Sequence, residues 1–102
     1  MKLFVRPLFY SDLEESVAYL SETAGPEIAR RWASAVWNTA DELNQHAFFG
    51  RERRDLPFPG VRSWRVMDFT RWLVFYGLKP KGIVFYRVKH GAVNLVKLDF
   101  NS

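Results

Sequence analysis

Four side chains in the second half of the sequence are of the types that metal-independent RNA cleavage requires: Arg62, Arg65, Arg87 and His90. That reaction needs a base for the 2′-hydroxyl proton, an acid for the leaving 5′-oxygen, and cations for the crowded phosphate charge. Arginine suits the last task because its planar fork pairs bidentately with phosphate oxygens. Histidine suits the first two because its unperturbed pKa is about 6.5. The spacing, however, works against convergence. On an alternating strand Arg87 and His90 fall on opposite faces, and Arg62 and Arg65 also differ in parity. Arg87 and His90 would meet only if the chain bends near Gly91, which glycine permits without demanding. We therefore read His90 as a strand-end or partner-contacting residue, catalytic only given such a bend.

The run Arg51-Glu52-Arg53-Arg54-Asp55 offers a different chemistry, contact with phosphates or with an acidic target. A solvated loop with local ion pairs to Glu52 and Asp55 fits the same residues. Arg51, Arg53, Arg54, Arg87, Lys89 and His90 form the candidate target-binding set. His46 is expected at a helix end, where a cation gains from the dipole. The two histidines lie far apart and there is no cysteine. Such a pair makes a poor metal site, so neither metal nor cofactor is expected.

The elements that position these residues follow from hydropathy and turn chemistry. The chain has 102 residues, 48% of them hydrophobic and 17% aromatic, enough for one domain with one modest core. Lys2–Arg6 reads as a short strand ended by Pro7, with Leu3 and Val5 on one face. Ser11-Asp12-Leu13-Glu14 has the form of a capping box opening a helix, and Leu13, Val17, Leu20 and Ala24 form its apolar face. Gly25-Pro26 breaks and restarts the chain. A second helix then runs to about His46, with Ile28, Trp32, Ala35, Val36, Thr39 and Leu43 as its buried stripe. Trp37, five residues beyond Trp32, falls at the margin of that stripe, about 140° around the helix. With Phe48 and Phe49 it forms a candidate set for anchoring a partner protein. Trp64, Phe69 and Trp72 read as core or sheet-edge packing.

Residues 47–60 read as a loop. Val61–Asp68, Trp72–Leu78 and Ile83–His90 read as strands, joined by the short links Phe69-Thr70-Arg71 and Lys79-Pro80-Lys81-Gly82, hence an antiparallel meander. In the last strand Val84, Tyr86, Val88 and His90 should share one face, and Ile83, Phe85, Arg87 and Lys89 the other. The order is β-α-α-β-β-β, a single α+β domain over 1–102 with the helix hairpin on one face of the sheet. Residues 92–100 fit a short helix or another strand equally well.

Charge is unevenly divided. Residues 1–50 carry four basic and seven acidic side chains, a net of −3, and residues 51–102 carry eleven and four, a net of +7. A basic half of this kind suggests a polyanion or an acidic partner. No segment approaches the roughly 20 apolar residues of a membrane span. The opening MKLFVRPLFY is too short and too interrupted for a signal peptide. A cytoplasmic protein without a membrane partner is expected.

Taken in order, these segments resemble the RelE/ParE superfamily of toxins from bacterial type II toxin–antitoxin modules. The resemblance covers nearly the whole chain: the first strand, the hairpin with SDLEESVAYL, the loop glycine Gly50, GVRSWRV at 60–66, WLVFYGL at 72–78 and YRVKHGAVNL at 86–95. Gly60-Val61-Arg62-Ser63, Phe75-Tyr76 and Arg87-Val88-Lys89-His90-Gly91-Ala92 are most similar to the ParE branch. Where that branch usually continues with Arg and then Asp, this chain has Val93 and Asn94.

The resemblance implies a growth-inhibiting toxin held in a hetero-oligomer by a cognate antitoxin, with Trp37, Phe48 and Phe49 as candidate antitoxin contacts. It also implies poisoning of DNA gyrase as the expected action. The RelE branch implies instead a ribosome-dependent mRNA endonuclease, with Arg62, Arg65, Arg87 and His90 as its machinery. RNases of that branch often keep a tyrosine or histidine near the C-terminus, and this chain ends LVKLDFNS without one. A third alternative is a relative that binds antitoxin and has lost both activities.

Overall fold

Pro7 ends the first strand as expected, and it also begins the first helix. Residues 2–100 are described by the computed structural model. Strand β1 spans Lys2–Val5 and helix α1 spans Pro7–Thr23, with Arg6 as an extended N-cap between them. Proline at the first helical position sacrifices no hydrogen bond and arrives with its φ already set. The helix therefore starts ahead of Ser11, and the expected capping box does not form. Ser11 lies inside α1, where its hydroxyl donates to the Pro7 carbonyl at 3.4 Å, and the first turn holds no acidic residue.

Helix α2 spans Pro26–Gln45 and follows Gly25, whose φ of 100° is a conformation glycine adopts without strain. Trp32, Ala35, Val36, Thr39 and Leu43 are buried along it as the spacing predicts, while Ile28 is half-buried. The two helices cover one face of the sheet through Phe9, Trp32, Val36, Leu43, Val66, Val74, Tyr76, Ile83, Phe85 and Val88.

The sheet has five strands in the order β1-β5-β4-β3-β2. Strand β2 is Arg51–Glu52, β3 Val61–Val66, β4 Phe69–Lys79 and β5 Gly82–His90. β1 lies parallel to β5, and the other pairs are antiparallel. The meander is as expected, but its links are tighter. Phe69-Thr70-Arg71 belongs to β4, and the turn is Met67-Asp68, with Asp68 at φ 67°. The Thr39 hydroxyl accepts the Met67 amide at 2.9 Å, which ties this turn to α2. The short β2 inside the 47–60 loop was not anticipated.

Strand β5 is bulged. Phe75 pairs with Arg87 but Tyr76 pairs with Phe85, so Tyr86 is the extra residue. Strict alternation fails at such a point, and both expected faces of this strand are broken there. Ile83, Phe85 and Val88 face the helices, whereas Val84 and Tyr86 join a second core on the opposite face. That second core contains Leu56, Val61, Phe75 and Phe100, flanked by Phe58, Leu95 and Leu98. Residues 92–100 are thus neither strand nor α-helix. They make one 3₁₀ turn, Leu95–Lys97, and fold back over the sheet.

The same bulge sends Arg87 to a buried partner. β1 pairs with β5 only as far as Phe85, where the Arg6 amide donates to the Phe85 carbonyl at 3.0 Å. Beyond that point the outer side of β5 has no strand beside it, and the Asp12 side chain of α1 takes its place. Asp12 accepts the Val88 amide at 3.2 Å and both ends of the Arg87 fork, Nε at 2.7 Å and Nη2 at 2.8 Å. Lys89 Nζ lies 3.1 Å from the same carboxylate. Arg87 also donates from Nη1 to the Asp99 carbonyl at 2.9 Å, which holds the returning tail. Its hydrogen bond to Asp12 raises the guanidinium pKa further, so the group is permanently charged.

Asp12 is 2% exposed and Arg87 8% exposed. Buried pairs add little net stability when intact but are costly to break, because the survivor keeps an uncompensated charge. Asp12→Ala should therefore lower the unfolding free energy by about 3–5 kcal/mol, read from urea denaturation. Glu15→Ala, on the exposed side of the same helix, should change it by less than about 0.5 kcal/mol. Equal effects of the two substitutions would contradict this account.

Candidate functional site

The four residues suited to RNA cleavage are not brought together. Arg87 is committed to Asp12 between α1 and β5. Arg62, on β3, donates from Nη1 to the Gly50 carbonyl at 2.6 Å and lies 4.9 Å over the Phe48 ring. Arg65 is exposed and stacks 4.3 Å over Trp64. His90 accepts the Ala92 amide on Nδ1 at 3.0 Å and sets its ring edge against Trp72 at 5.4 Å. One imidazole nitrogen is thereby occupied at the strand end. The last described aromatic, Phe100, is buried and has no ionisable group. Among the described residues no cluster of three or more His, Asp or Glu side chains could hold a metal ion.

The loop that carries the arginine run is fixed at Gly50. Its amide donates to the Tyr76 hydroxyl at 2.9 Å, and that hydroxyl donates to the Ala47 carbonyl at 2.6 Å. A Cβ at position 50 would stand 2.5 Å from the Tyr76 hydroxyl and 2.8 Å from the Ser63 carbonyl, which explains the glycine. Burial pushes the Tyr76 phenol up, with the Gly50 amide and Arg62 working in the other direction. It stays protonated and keeps both hydrogen bonds at neutral pH.

Arg53, expected from the sequence as a target contact, is buried and paired within the loop. It is 7% exposed, grips Asp55 bidentately at 2.9 and 2.7 Å, and donates to Ser63 Oγ at 3.1 Å. Arg87 is likewise buried and paired, with Asp12. Lys89, half-buried, also points its ammonium at Asp12. Of the candidate set, Arg51 and Arg54 are exposed, and Arg54 pairs with Glu52 at 2.9 Å. That neighbour lowers the Glu52 pKa through a hydrogen bond and through charge.

What the fold does assemble is an exposed cationic and aromatic surface at the β2–β3 edge. Phe48 is 74% exposed and Phe49 46% exposed. Phe49 stacks on His46 at 4.6 Å and leans on Trp64 at 5.7 Å. A shallow cleft of about 240 Å³ is lined by Phe49, Arg51, Ser63, Trp64, Arg65 and Leu73. Trp37 lies elsewhere. It is half-buried against Phe9 at 5.7 Å and Tyr10 at 6.1 Å, so the three candidate antitoxin contacts do not form one patch. Sequence reasoning missed Asp12 and Tyr76 as the groups that hold the arginines' surroundings. Their partners are distant in the chain, and the sequence carries no signal for either pairing.

Comparison with known proteins gives a concordant result. The family model described as the ParE toxin of the type II toxin–antitoxin system parDE matches residues 3–95. Among solved structures, a chain of the chromosomal ParDE toxin–antitoxin system from P. aeruginosa superposes with a TM-score of 0.74 at 23% identity. The alignment covers 88% of this chain and 95% of that one. No curated protein matches.

The Arg53–Asp55 clamp can be tested by titration. The hydrogen bond from Arg53 lowers the Asp55 pKa from 3.8 to about 2, with burial opposing it and nearby positive charge adding to it. A depressed carboxylate pKa stabilises the fold above the unfolded value and loses that contribution as pH falls toward the folded one. Carbon-detected NMR should place the Asp55 midpoint near 2 and return it toward 3.8 in Arg53→Gln. An unmoved midpoint would contradict the clamp.

Proposed function

The chain belongs to the family of ParE toxins of type II toxin–antitoxin systems, and from that premise we propose that it acts by binding and poisoning DNA gyrase rather than by cutting RNA. The observation that carries this reading is the dispersal of the four cleavage candidates. Arg87 is consumed by Asp12, Arg62 by the Gly50 loop, and His90 by its own strand end. General acid–base chemistry requires its groups within hydrogen-bonding reach of one substrate, and the other partners held by Arg62, Arg87 and His90 speak against that use.

Binding needs less. The exposed Arg51, Arg54 and Arg65, beside Phe48 and Phe49, supply charged and aromatic groups of the kind that anchor protein interfaces. They belong to the half of the chain with the net positive charge, which favours approach to gyrase with its bound DNA. In this reading the toxin works in the cytoplasm, where a cognate antitoxin restrains it. The replacement of the usual Arg-Asp by Val93-Asn94 lies in the exit from β5, outside this surface. No helix among the described residues is long and apolar enough to cross a membrane.

The test is supercoiling by purified gyrase with increasing toxin, scored also for trapped cleaved DNA. The reading predicts loss of supercoiling with accumulation of cleaved DNA. Because contacts are spread over a surface, Arg51→Ala or Arg65→Ala alone should weaken inhibition about threefold, and the double variant more than about tenfold. Full supercoiling at large toxin excess would overturn the proposal. Complete loss through Arg65→Ala alone, with the fold intact, would overturn the spread surface.

A further inference from the structure

Strand β2 covers β3 only at Arg62 and Ser63. Among the described residues, the outer edge of β3 at Trp64 and Arg65 therefore has no strand beside it. The Arg53 amide donates to the Val61 carbonyl, which sets the side of β3 that faces β2. With a period of two along the strand, the Arg65 amide and carbonyl point the same way, onto the bare edge. The cleft lined by Phe49, Trp64 and Arg65 opens at this place, and its volume of about 240 Å³ suits one flat ring system.

Rings and guanidiniums are interleaved around the cleft. Phe48 lies under the guanidinium of Arg62, and Trp64 under that of Arg65. A guanidinium stacked on a ring keeps its N–H groups in the plane of its fork, where phosphate oxygens can take two at once. Arg51 and Arg65 are both exposed. Phe49 meets Trp64 on one side and His46 on the other, so rings run from the end of α2 to β3. The acidic groups nearby are engaged. Glu52 pairs with Arg54 and Asp55 with Arg53, and Glu42 accepts the Trp64 indole N–H at 3.2 Å.

We propose that this surface binds single-stranded DNA, with one unstacked base in the cleft against Phe49, a neighbouring base on Phe48, and the flanking phosphates on Arg51 and Arg65. Strand binding without sequence preference uses this combination, a cationic track with aromatic platforms on which bases stack. The outward amide and carbonyl of Arg65 offer the base edge a donor and an acceptor. A duplex fits poorly, because its bases are stacked inside it and the cleft takes one ring system at a time. The inference rests on the gyrase reading, from which the choice of DNA follows, and adds that the toxin touches the nucleic acid as well as the enzyme. A strand end held out of the stack cannot be rejoined, so binding alone would trap broken DNA.

The probe is a fluorescein-labelled deoxythymidine dodecamer, titrated onto the full chain by fluorescence anisotropy in the absence of gyrase. A uridine dodecamer and a DNA duplex are the comparisons. The thymidine strand should bind more tightly than the duplex and at least as tightly as the uridine strand. Phe48→Ala/Phe49→Ala should weaken binding at least about fivefold. Arg51→Ala and Arg65→Ala should each weaken it, and each should flatten the slope of log affinity against log salt by about 0.7, one phosphate contact on a single strand. Lys79→Ala/Lys81→Ala, at the β4–β5 turn, should leave affinity and slope unchanged. No binding at low salt, tighter binding of the duplex or the uridine strand, or equal weakening by the lysine variant would overturn the assignment. If the toxin poisons gyrase but ignores the dodecamer, this inference falls and the gyrase reading stands. If it binds the dodecamer and leaves supercoiling untouched, the gyrase reading falls and the strand-binding surface stands.

Discussion

The structure depends on one carboxylate. Asp12 is the acidic group where α1, the unpaired stretch of β5 and the returning tail meet. It replaces the backbone of β1 beyond Phe85, accepts the Val88 amide and neutralises Arg87, which in turn holds the carbonyl of Asp99. An isolated charge at this depth would be prohibitive. The bidentate geometry and the nearby Lys89 make it tolerable, and they set where the helix hairpin sits on the sheet. The bulge at Tyr86 serves the same arrangement. Without the extra residue, β5 would not present Arg87 and the Val88 amide to one carboxylate.

That use of Arg87 shapes the function. The guanidinium at the middle of the sheet is paired with Asp12 and covered by the chain end. The cations left for other molecules sit at the margins. One group flanks β2 and β3 beside exposed aromatic rings, and another, Arg6, Lys79 and Lys81, stands near β1. The two lie at opposite ends of a five-stranded sheet.

Much of this was legible in the sequence. The stripe from Trp32 to Leu43 repeats at the helical period, and the alternation in β3 and β4 follows the pleat, so element types and order were readable. The errors came where one residue has two uses. Pro7 signals the end of a strand and equally the start of a helix, and the second meaning displaced the capping box at Ser11. Alternation through β5 broke because a bulge leaves no mark on the pattern itself. Arg53 and Arg87 were read as groups available to a target, because a sequence does not show that Ser63 and Asp12 await them. The Arg87 partner lies 75 positions away, a separation at which only the folded chain reveals the pairing.

The claim that this toxin works by binding can be tested where the alternative would act. Programmed ribosomes carrying end-labelled mRNA would be incubated with excess toxin and the message resolved on a sequencing gel. The account predicts an intact message, because Arg62, Arg65, Arg87 and His90 share no site. A cut in the ribosome-bound codon that disappears in Arg65→Ala would contradict it, and would mean that the surface at β3 assembles a catalytic set only on the ribosome.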